Sequence, residues 1–423
     1  MITRPIVDWP KGIPPMEMLY SCILEHGRNA ERLSMLRDYY DGRHSICGRS
    51  RMSGLPNNAL VHGFPRYICT MTSGYLIGGP IGYVAQGQEE AIRAVQEAFA
   101  RCAIDSVDAE LAQDAAIFGK GVELVYADES GMPRSVALKP SEAFVVYADT
   151  VDMSPQFGIR CMRTMRADGE AEGWRFDVYT SEMILTYAMK EPAREGFAAP
   201  TKARRHFFGR VPMVEYWNSK DEKGDFECAI SLIDAYDLLQ SDRLNDKQQF
   251  VDALLVLYGC TLETDEFGRS PGRQLREDKA IALPDGDARA EWLCKQLNEA
   301  DTEVLKNALN SDIHKMCMVP DMTDVNFAGN SSGVAMRYKL LGLEQLTHIK
   351  ERWFREALRE RVRLYAAYLE LMGMPGLDAE KVEFQFTRSL PVNELEVAQT
   401  ASELRGLVDD EKLVRRVSAA IGL

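Results

Sequence analysis

Long apolar runs are absent from this sequence of 423 residues. The longest one, residues 253–260, is far shorter than the roughly 20 residues that a transmembrane helix requires. The first residues, MITRPIVDWPKGIPP, hold prolines and charges where a signal peptide has an apolar stretch. From these absences we expect no contact with a membrane.

Cysteine pairs and histidine clusters of the kind that bind metals are also missing. The nine cysteines include no C-x-x-C pair, and the six histidines are scattered without ligand spacing. We interpret the cysteines as reduced thiols that mostly fill the core. The sequence therefore predicts neither a metal nor any other cofactor.

Basic residues are too few for a protein that coats nucleic acid. Acidic residues outnumber them by 64 to 50, which gives a formal charge of −14. Binding of phosphate backbones needs clustered Lys and Arg side chains, so bulk electrostatics would not hold this chain on nucleic acid. Any contact with DNA is therefore expected to be loose or local.

Nucleotide-binding loops are missing as well. The sequence contains no G-x-x-x-x-G-K-[ST] motif, which argues against hydrolysis of ATP by a P-loop. The segment Gly119-Lys-Gly121 follows a predicted helix and precedes a predicted strand, the reverse of the order required for phosphate binding at a helix N-terminus. A glycine that caps the C-terminus of the preceding helix explains this segment better.

One motif of a hydrolase is present. Gly329-Asn-Ser-Ser-Gly333 matches the G-x-S-x-G nucleophile elbow, with Ser331 in the position of the nucleophile. The histidine of such an enzyme follows later in the chain, but the only later one, His348, lies within the same predicted helix. A rigid helix would carry it roughly 20 Å or more along the axis. The interpretation that we favour is a glycine-rich loop with a serine N-cap.

Hydrophobic periodicity divides the chain into a helical start, a β-rich block and a mainly helical second half. Helices are predicted at residues 16–40, 89–102, 105–118, 229–251, 292–318 and 334–372. Strands are predicted at residues 122–126, 135–138, 144–147, 158–165, 174–179, 183–187 and 382–386, and short strands and turns at 258–290. Residues 190–205 and 321–333 are expected to be loops. The pattern as a whole predicts an α+β fold.

The helix predicted at 229–251 carries both an apolar face and a set of acids. Its apolar face is assigned to Ile230, Ile233, Leu238, Leu244 and Val251. Three aspartates, Asp234, Asp237 and Asp242, form the acidic set. Paired carboxylates can bind magnesium or perform acid–base chemistry, but a magnesium site would also need substrate phosphates nearby. A solvated or subunit-facing acidic stripe is therefore the favoured interpretation.

Six bases and three acids alternate between Lys350 and Arg363. The bases are Lys350, Arg352, Arg355, Arg359, Arg361 and Arg363, and the acids are Glu351, Glu356 and Glu360. Such alternation is typical of a helix face that makes salt bridges. Contact with DNA is the less favoured alternative.

Several segments, taken in order, resemble the siphovirus type of tailed-bacteriophage portal protein. They include Tyr39-Tyr-Asp-Gly-Arg-His44, Asn57-Asn-Ala-Leu60, Gly74-Tyr-Leu-Ile-Gly-Gly-Pro-Ile81, Phe118-Gly-Lys-Gly-Val-Glu-Leu-Val-Tyr126 and Val211-Pro-Met-Val-Glu-Tyr-Trp-Asn218. The most specific are Leu232-Ile-Asp-Ala-Tyr-Asp237 and Pro320-Asp-Met-Thr-Asp324 running into Gly329-Asn-Ser-Ser-Gly-Val-Ala335. The resemblance covers nearly the whole chain and depends on this ordered combination.

The resemblance implies a ring, usually of twelve subunits, around a channel for double-stranded DNA. The expected parts are a wing at 1–228 and 334–390, stem helices at 229–254 and 292–320, a β-containing clip at 255–291, a tunnel loop at 321–333 and a short helical crown at 391–423. Such a ring sits at one vertex of the virion capsid after assembly in the host cytoplasm, and DNA is packaged and ejected through it. It is not an enzyme, since the terminase motor supplies the energy.

The same resemblance implies roles for particular residues and partners. The residues expected to face DNA from the tunnel loop are Asn326, Phe327, Gly329, Asn330, Ser331, Ser332 and Gly333. Arg269, Arg273 and Arg276 of the clip are expected to dock partners, and Asp234, Asp237 and Asp242 to form an acidic stem stripe. The implied partners are other copies of the chain, the terminase large subunit, a head–tail adaptor, and the major capsid and scaffolding proteins. A serine hydrolase using Ser331 and a different head–tail connector stay as alternatives.

Overall fold

A computed structural model describes most of the chain as a mixture of helices and sheets. The residues it describes are 1–9, 12–52, 55–190, 199–250, 254–258, 289–293, 299–322, 338–388 and 402. They fall into two units. Unit 1 comprises Met1–Arg43, Gly63–Ile230 and Ile313–Leu423, and unit 2 comprises His44–His62 and Ser231–Asp312. The α+β fold class is confirmed.

The helices and strands follow one another in the order that periodicity predicted for most of the chain. The α-helices are α1 Met16–Tyr40, α2 Phe64–Leu76, α3 Glu89–Arg101, α4 Ile104–Phe118, α5 Ile230–Phe250, α6 Glu299–Met316 and α7 Leu341–Leu371. The strands are β1 Ile2–Arg4, β2 Gly82–Ala85, β3 Lys120–Ala127, β4 Pro133–Leu138, β5 Ala143–Ala148, β6 Pro155–Met165, β7 Ala171–Tyr179, β8 Met183–Met189, β9 Lys202–Arg205, β10 Met213–Trp217, β11 Leu254–Tyr258, β12 Arg289–Leu293 and β13 Val382–Gln385. No described helix is long and apolar enough to cross a membrane.

Glycine ends α4, as the sequence predicts. Gly119 caps this helix in the left-handed conformation, with φ of +88°. A Cβ atom at this position would lie 2.0 Å from the carbonyl oxygen of Glu222. Both the backbone angle and the close approach therefore require glycine here, and the assignment of Gly119-Lys-Gly121 to a helix C-cap is confirmed.

The larger sheet of unit 1 has six strands in the order β1-β5-β6-β7-β8-β9. The β1 strand pairs with β5 in parallel, and the other pairs are antiparallel. One face of this sheet joins α1 in an apolar cluster that includes Leu19, Cys22, Phe144, Phe157 and Phe176. Alternate residues of the same strands point to the opposite face.

A second core of unit 1 surrounds α7. This helix packs with α3, α4 and the antiparallel pair β2–β13 through a cluster that includes Phe99, Leu111, Phe354, Leu358 and Tyr365. The three-stranded sheet β10-β3-β4 contributes to the same cluster. The apolar stripe of α7 recurs at helical spacing, which is why the sequence predicted this helix.

The charged face of α7 makes salt bridges, as predicted, but two of its bases are buried. The guanidinium of Arg361 is fully buried and lies 2.6 Å from Asp108 Oδ1 and 2.8 Å from Glu123 Oε1. Lys350 is buried against Asp225. Arg355, Arg359 and Arg363 pair with glutamates nearer the surface. Burial raises the pKa of Asp108 to about 6, although Arg361 pulls that pKa downward.

The predicted elements need three corrections. The helix expected from residue 292 begins at Glu299, because residues 289–293 pair with β11 as strand β12. The loop expected at 190–205 includes strand β9, which pairs with β8. Leu238, assigned to the buried face of α5, is 43% exposed.

The cysteines agree with the prediction of free thiols in the described residues. Four of them are buried, namely Cys22, Cys69, Cys161 and Cys317. Cys102 is half-buried, while Cys47 and Cys228 are exposed and therefore do not fill the core. Burial raises the pKa of Cys161 to about 12, so this thiol stays protonated at neutral pH.

Candidate functional site

Helix α5 carries the three predicted acids, and the structure separates them. Asp237 is fully buried, whereas Asp234 and Asp242 are half-buried. The carboxylate of Asp237 accepts hydrogen bonds from His44 Nδ1 at 2.6 Å and from His62 Nδ1 at 2.8 Å. It also accepts from the backbone N–H of His62 at 2.9 Å. The three aspartates therefore do not form one solvent-facing stripe in this chain, and Asp237 has to be removed from it.

Asp237 stays ionised despite its burial. Loss of solvent alone would raise the pKa of its carboxyl, but the hydrogen bonds from His44 and His62 outweigh it and hold that pKa below its ordinary value. An ionised carboxylate can only accept hydrogen bonds, so each Nδ1 must carry its proton. The hydrogen bonds to Asp237 thus place a proton on Nδ1 of both imidazoles.

Residues 58–62 run along α5 as an extended segment, antiparallel to the helix. The N–H of Asn58 donates to Asn245 Oδ1 at 2.7 Å, and that of Leu60 donates to Ser241 Oγ at 2.9 Å. The N–H of His62 donates to Asp237 in the same way. Every second residue of the segment thus pairs with every fourth residue of the helix. We call this set of three backbone-to-side-chain hydrogen bonds the strap ladder.

The strap ladder explains the polar character of the buried face of α5. Asp237, Ser241 and Asn245 are all buried, and each accepts from a backbone N–H that water would otherwise have to satisfy. Sequence reasoning missed this face because it sought apolar residues. The signal that was available is the repeat of small polar residues at i, i+4 and i+8, which places them on one side of a helix.

The other two aspartates of α5 are paired with residues of 45–51, which precede that extended segment in the chain. Ser45 Oγ donates to Asp234 Oδ1 at 2.8 Å. Asp242 pairs with Arg49, at 2.8 Å, and with Arg51. All three carboxylates therefore have partners within unit 2, which leaves no free pair for magnesium. In the described residues, no cluster of His, Cys, Asp or Glu is suited to a metal ion.

Ion pairs connect α5 to α6 within unit 2. Arg243 lies 2.8 Å from Glu299 and 3.0 Å from Glu303, and Lys247 lies 3.0 Å from Glu299. These groups are partly exposed, and exposed ion pairs add little to stability. Their number and their single direction, bases on α5 and acids on α6, specify which faces of the two helices meet.

Two groups of predicted site residues lie outside the described residues. They are the tunnel-loop residues Asn326, Phe327, Gly329, Asn330, Ser331, Ser332 and Gly333, and the clip arginines Arg269, Arg273 and Arg276. His348, the partner that a hydrolase would need, lies on α7 and its Nε2 is 3.1 Å from Glu344. Its side chain is 54% exposed.

Comparison with known families decides between the alternatives. The family model described as "Phage portal protein, SPP1 Gp6-like" matches residues 20–419, which is most of the chain. The chain belongs to this portal family. The resemblance found in the sequence is thus confirmed, and the portal interpretation is favoured over a serine hydrolase.

Two curated relatives of this portal protein carry the same description. The chain is 24% identical over 379 residues to a portal protein of Bacillus phage SPP1, covering 85% of this chain and 73% of the relative. It is 26% identical over 216 residues to a portal protein of Clostridium phage phiCD119, covering 50% of this chain and 46% of the relative. A solved structure titled "Neck of empty GTA particle computed with C6 symmetry" aligns with a TM-score of 0.47 and 14% identity over 91% of this chain and 92% of that one.

Proposed function

We propose that this portal protein assembles into a ring at one vertex of the capsid and that double-stranded DNA passes through the ring during packaging and ejection. Family membership supports a role in the virion as a capsid component. The observation that carries the proposal is the order of elements in unit 2. Two helices, α5 and α6, flank the antiparallel pair β11–β12 in the chain, and ion pairs join the helices.

This arrangement supports the assignment of a stem and a clip. In the proposal α5 and α6 are the stem helices, and the segment between them, which β11 enters and β12 leaves, is the clip. Strand pairing supports this assignment, since Leu254 pairs with Leu293 and Tyr258 with Arg289. An antiparallel strand pair that follows one stem helix and precedes the other in the chain suits a docking element for a motor or an adaptor protein.

The remaining parts of the proposal follow the family. The tunnel loop at 321–333 would contact DNA through weak polar groups, and the crown at 391–423 would face the capsid interior. The clip arginines Arg269, Arg273 and Arg276 would dock the terminase large subunit or the head–tail adaptor, and the wing would meet capsid and scaffolding proteins. The ring itself would catalyse no reaction. An overall charge of −14 suits a channel along which DNA slides without being held.

Native mass spectrometry of the purified chain, with negative-stain images of the same sample, tests the ring. We expect a closed ring of about a dozen subunits with a central hole, because heterologous interfaces close when the rotation between neighbours is a whole fraction of a turn. A monomer or dimer that stays unassembled even with its capsid and scaffolding proteins would contradict the proposal.

Deletion of Asn326 to Asn330 tests the tunnel loop separately. Rings are expected to form as before, while packaging or retention of DNA in particles falls. Loss of the rings would show that this segment is structural and would overturn its assignment to the channel.

A further inference from the structure

The six-stranded sheet has a second face that carries basic side chains. Strand register places Arg160 opposite Asp177, Asp177 opposite Thr186, and Thr186 opposite Lys202. Arg175 is two residues from Asp177 on β7, and Arg204 is two residues from Lys202 on β9. Alternate residues of a strand point to the same side, so both arginines share this face. In a chain with a charge of −14, four bases and one acid make this face locally cationic.

A cavity of about 510 Å³ opens on this basic face. Its lining includes Arg160, Arg175, Arg204 and Arg205, together with aromatic side chains that include Tyr179 and Phe207. This volume falls in the range of ordinary ligand pockets, which is roughly 300–1,000 Å³. All of the lining residues belong to unit 1.

Only one of the four arginines of the cavity has an acidic partner in the described residues. Arg175 lies 2.9 Å from Asp177, which also accepts from Thr186 Oγ1 at 2.7 Å. Arg160, Arg204 and Arg205 make no ion pair within the described part of the chain, and Arg160 Nε is buried there without a hydrogen-bond partner. Burial of an unpaired donor is costly, so this guanidinium is arranged to receive an acceptor from outside.

The rim of the cavity adds exposed apolar surface. Phe207 is 62% exposed, and the side chains of Tyr126 and Val136 are exposed as well. All three line the same cavity as the arginines. A ligand that satisfies the site therefore has to offer both acceptors for guanidinium groups and an apolar group for the rim.

From these observations we infer that the cavity binds an acidic segment of a partner protein that carries one aromatic or aliphatic anchor residue. A guanidinium presents parallel N–H groups that match a carboxylate, which favours Glu or Asp side chains as the acceptors. A concave site of this size admits a narrow peptide segment, whereas the rod-like DNA duplex presents its phosphates along a convex surface. This function goes beyond the proposed channel, since it requires neither a ring nor DNA.

Fluorescence anisotropy with a labelled, Glu-rich synthetic peptide that contains one Trp tests the inference on the full chain. We expect saturable binding that weakens as ionic strength rises. In the variant Arg160→Gln/Arg204→Gln, affinity is expected to fall by about tenfold or more, because each charge-assisted hydrogen bond is worth on that order. Arg204→Gln/Arg205→Gln removes only exposed side chains and provides a second test if the first variant unfolds.

The matched control is Arg163→Gln/Arg166→Gln. Arg163 lies on β6 but on the other face, against the ring of Trp174, and Arg166 directly follows that strand. The change in net charge is the same, so peptide affinity should stay unchanged. If peptide affinity fell equally in the control, net charge alone would explain the loss and the inference would be overturned. The absence of peptide binding to the unchanged protein would also overturn it.

Two further measurements distinguish an acidic peptide from other possible occupants of the cavity. Stronger binding of duplex DNA or of inorganic phosphate than of the peptide would overturn the inference in favour of a phosphate site. Failure of the cavity variants to form assemblies that the control still forms, with peptide affinity unchanged, would show that a second copy of the chain fills the cavity. Peptide binding can be measured whether or not the chain forms a ring, so the inference and the proposed function fail independently.

Discussion

Helices α7 of unit 1 and α5 of unit 2 both bury polar side chains, but they satisfy them in different ways. In α7 the buried groups are the cations of Lys350 and Arg361, each matched by carboxylates within an apolar cluster. In α5 they are Asp237, Ser241 and Asn245, which accept from backbone N–H groups of the strap ladder. Unit 1 thus depends on a few strong charge pairs, and unit 2 on several weaker hydrogen bonds.

The largest effect is expected for Arg361→Met. This change leaves the carboxylates of Asp108 and Glu123 buried without their cation, which costs about 3–5 kcal/mol of unfolding free energy. Chemical denaturation followed by the fluorescence of unit 1 tryptophans measures it. Arg363→Met is the control, because Arg363 pairs with Glu360 nearer the surface and should contribute less than about 1 kcal/mol. Similar losses in both variants would contradict the distinction between buried and exposed pairs.

Acid is expected to affect unit 1 through His26. Burial lowers the pKa of this imidazole from 6.5 to about 4. Between these two pH values the unfolded chain binds a proton at His26 that the folded chain does not. The contribution of His26 to the free energy of unfolding is therefore complete above pH 6.5 and is lost as pH falls toward 4. The size of the shift corresponds to about 3 kcal/mol. His26→Gln should remove this part of the slope when unfolding free energy is measured against pH.

The exposed His348 provides the control for His26. The variant His348→Gln removes a surface imidazole and so controls for the loss of a histidine as such. Burial raises the pKa of Asp108 and of Asp114, which favours the folded chain as pH falls. The difference between the profiles is the quantity to compare, since these carboxyl groups are common to all the variants. A His26→Gln profile with the original slope would show that His26 is not the titrating group.

A smaller loss, about 2–3 kcal/mol, is expected for Asp237→Ala in unit 2, because three donors lose their acceptor. Hydrogen exchange at the amide of His62 measures this change locally. Asp237→Asn keeps one acceptor oxygen and should lose less. Since the pKa of Asp237 lies below its ordinary value, its contribution is present above that value and is lost only as pH falls below it. Unchanged exchange at His62 would contradict the strap ladder.

The smallest effect sharpens the assignment of the buried face of α5. Ser241→Ala removes the acceptor for the Leu60 amide and should cost about 1 kcal/mol. Exchange should quicken at Leu60 more than at Asn58, whose acceptor is Asn245. Leu238→Ala, on the exposed side of the same helix, should change neither quantity. A larger loss from Leu238→Ala would restore the face predicted from hydrophobicity.

The elements that the sequence predicted well are those in which local pattern and tertiary packing agree. The bounds of α1 and the end of α4 follow from helical periodicity and from glycine at Gly42 and Gly119. The burial of Arg361 was not predictable in the same way, because its partners Asp108 and Glu123 are distant in sequence. The start of α6 was misplaced because Trp292 pairs with Leu255, a contact that periodicity does not report.

The candidate site was predictable only as a set of residue types. Asp234, Asp237 and Asp242 were recognised as a group on one helix. Their partners, however, come from residues 44–62, which have no hydrophobic period of their own. Its alternate N–H groups are backbone atoms, which every residue except proline provides, so no side-chain pattern in 58–62 marks them. The basic face of the sheet was missed for a related reason, since its arginines come from three different strands, β6, β7 and β9.

The strap ladder also has a built-in limit. Two residues of extended chain span roughly 6.6 Å, and four residues of helix span roughly 6.0 Å. Because the two spacings differ, the donors of the segment and the acceptors of the helix move out of register by about 0.6 Å with each successive hydrogen bond. Three rungs accumulate a mismatch of only about 1.2 Å, which side-chain rotamers can absorb, but a longer series could not. The mismatch therefore limits the number of hydrogen bonds in the ladder. Residues inserted into the segment would bulge outward and would not add further hydrogen bonds.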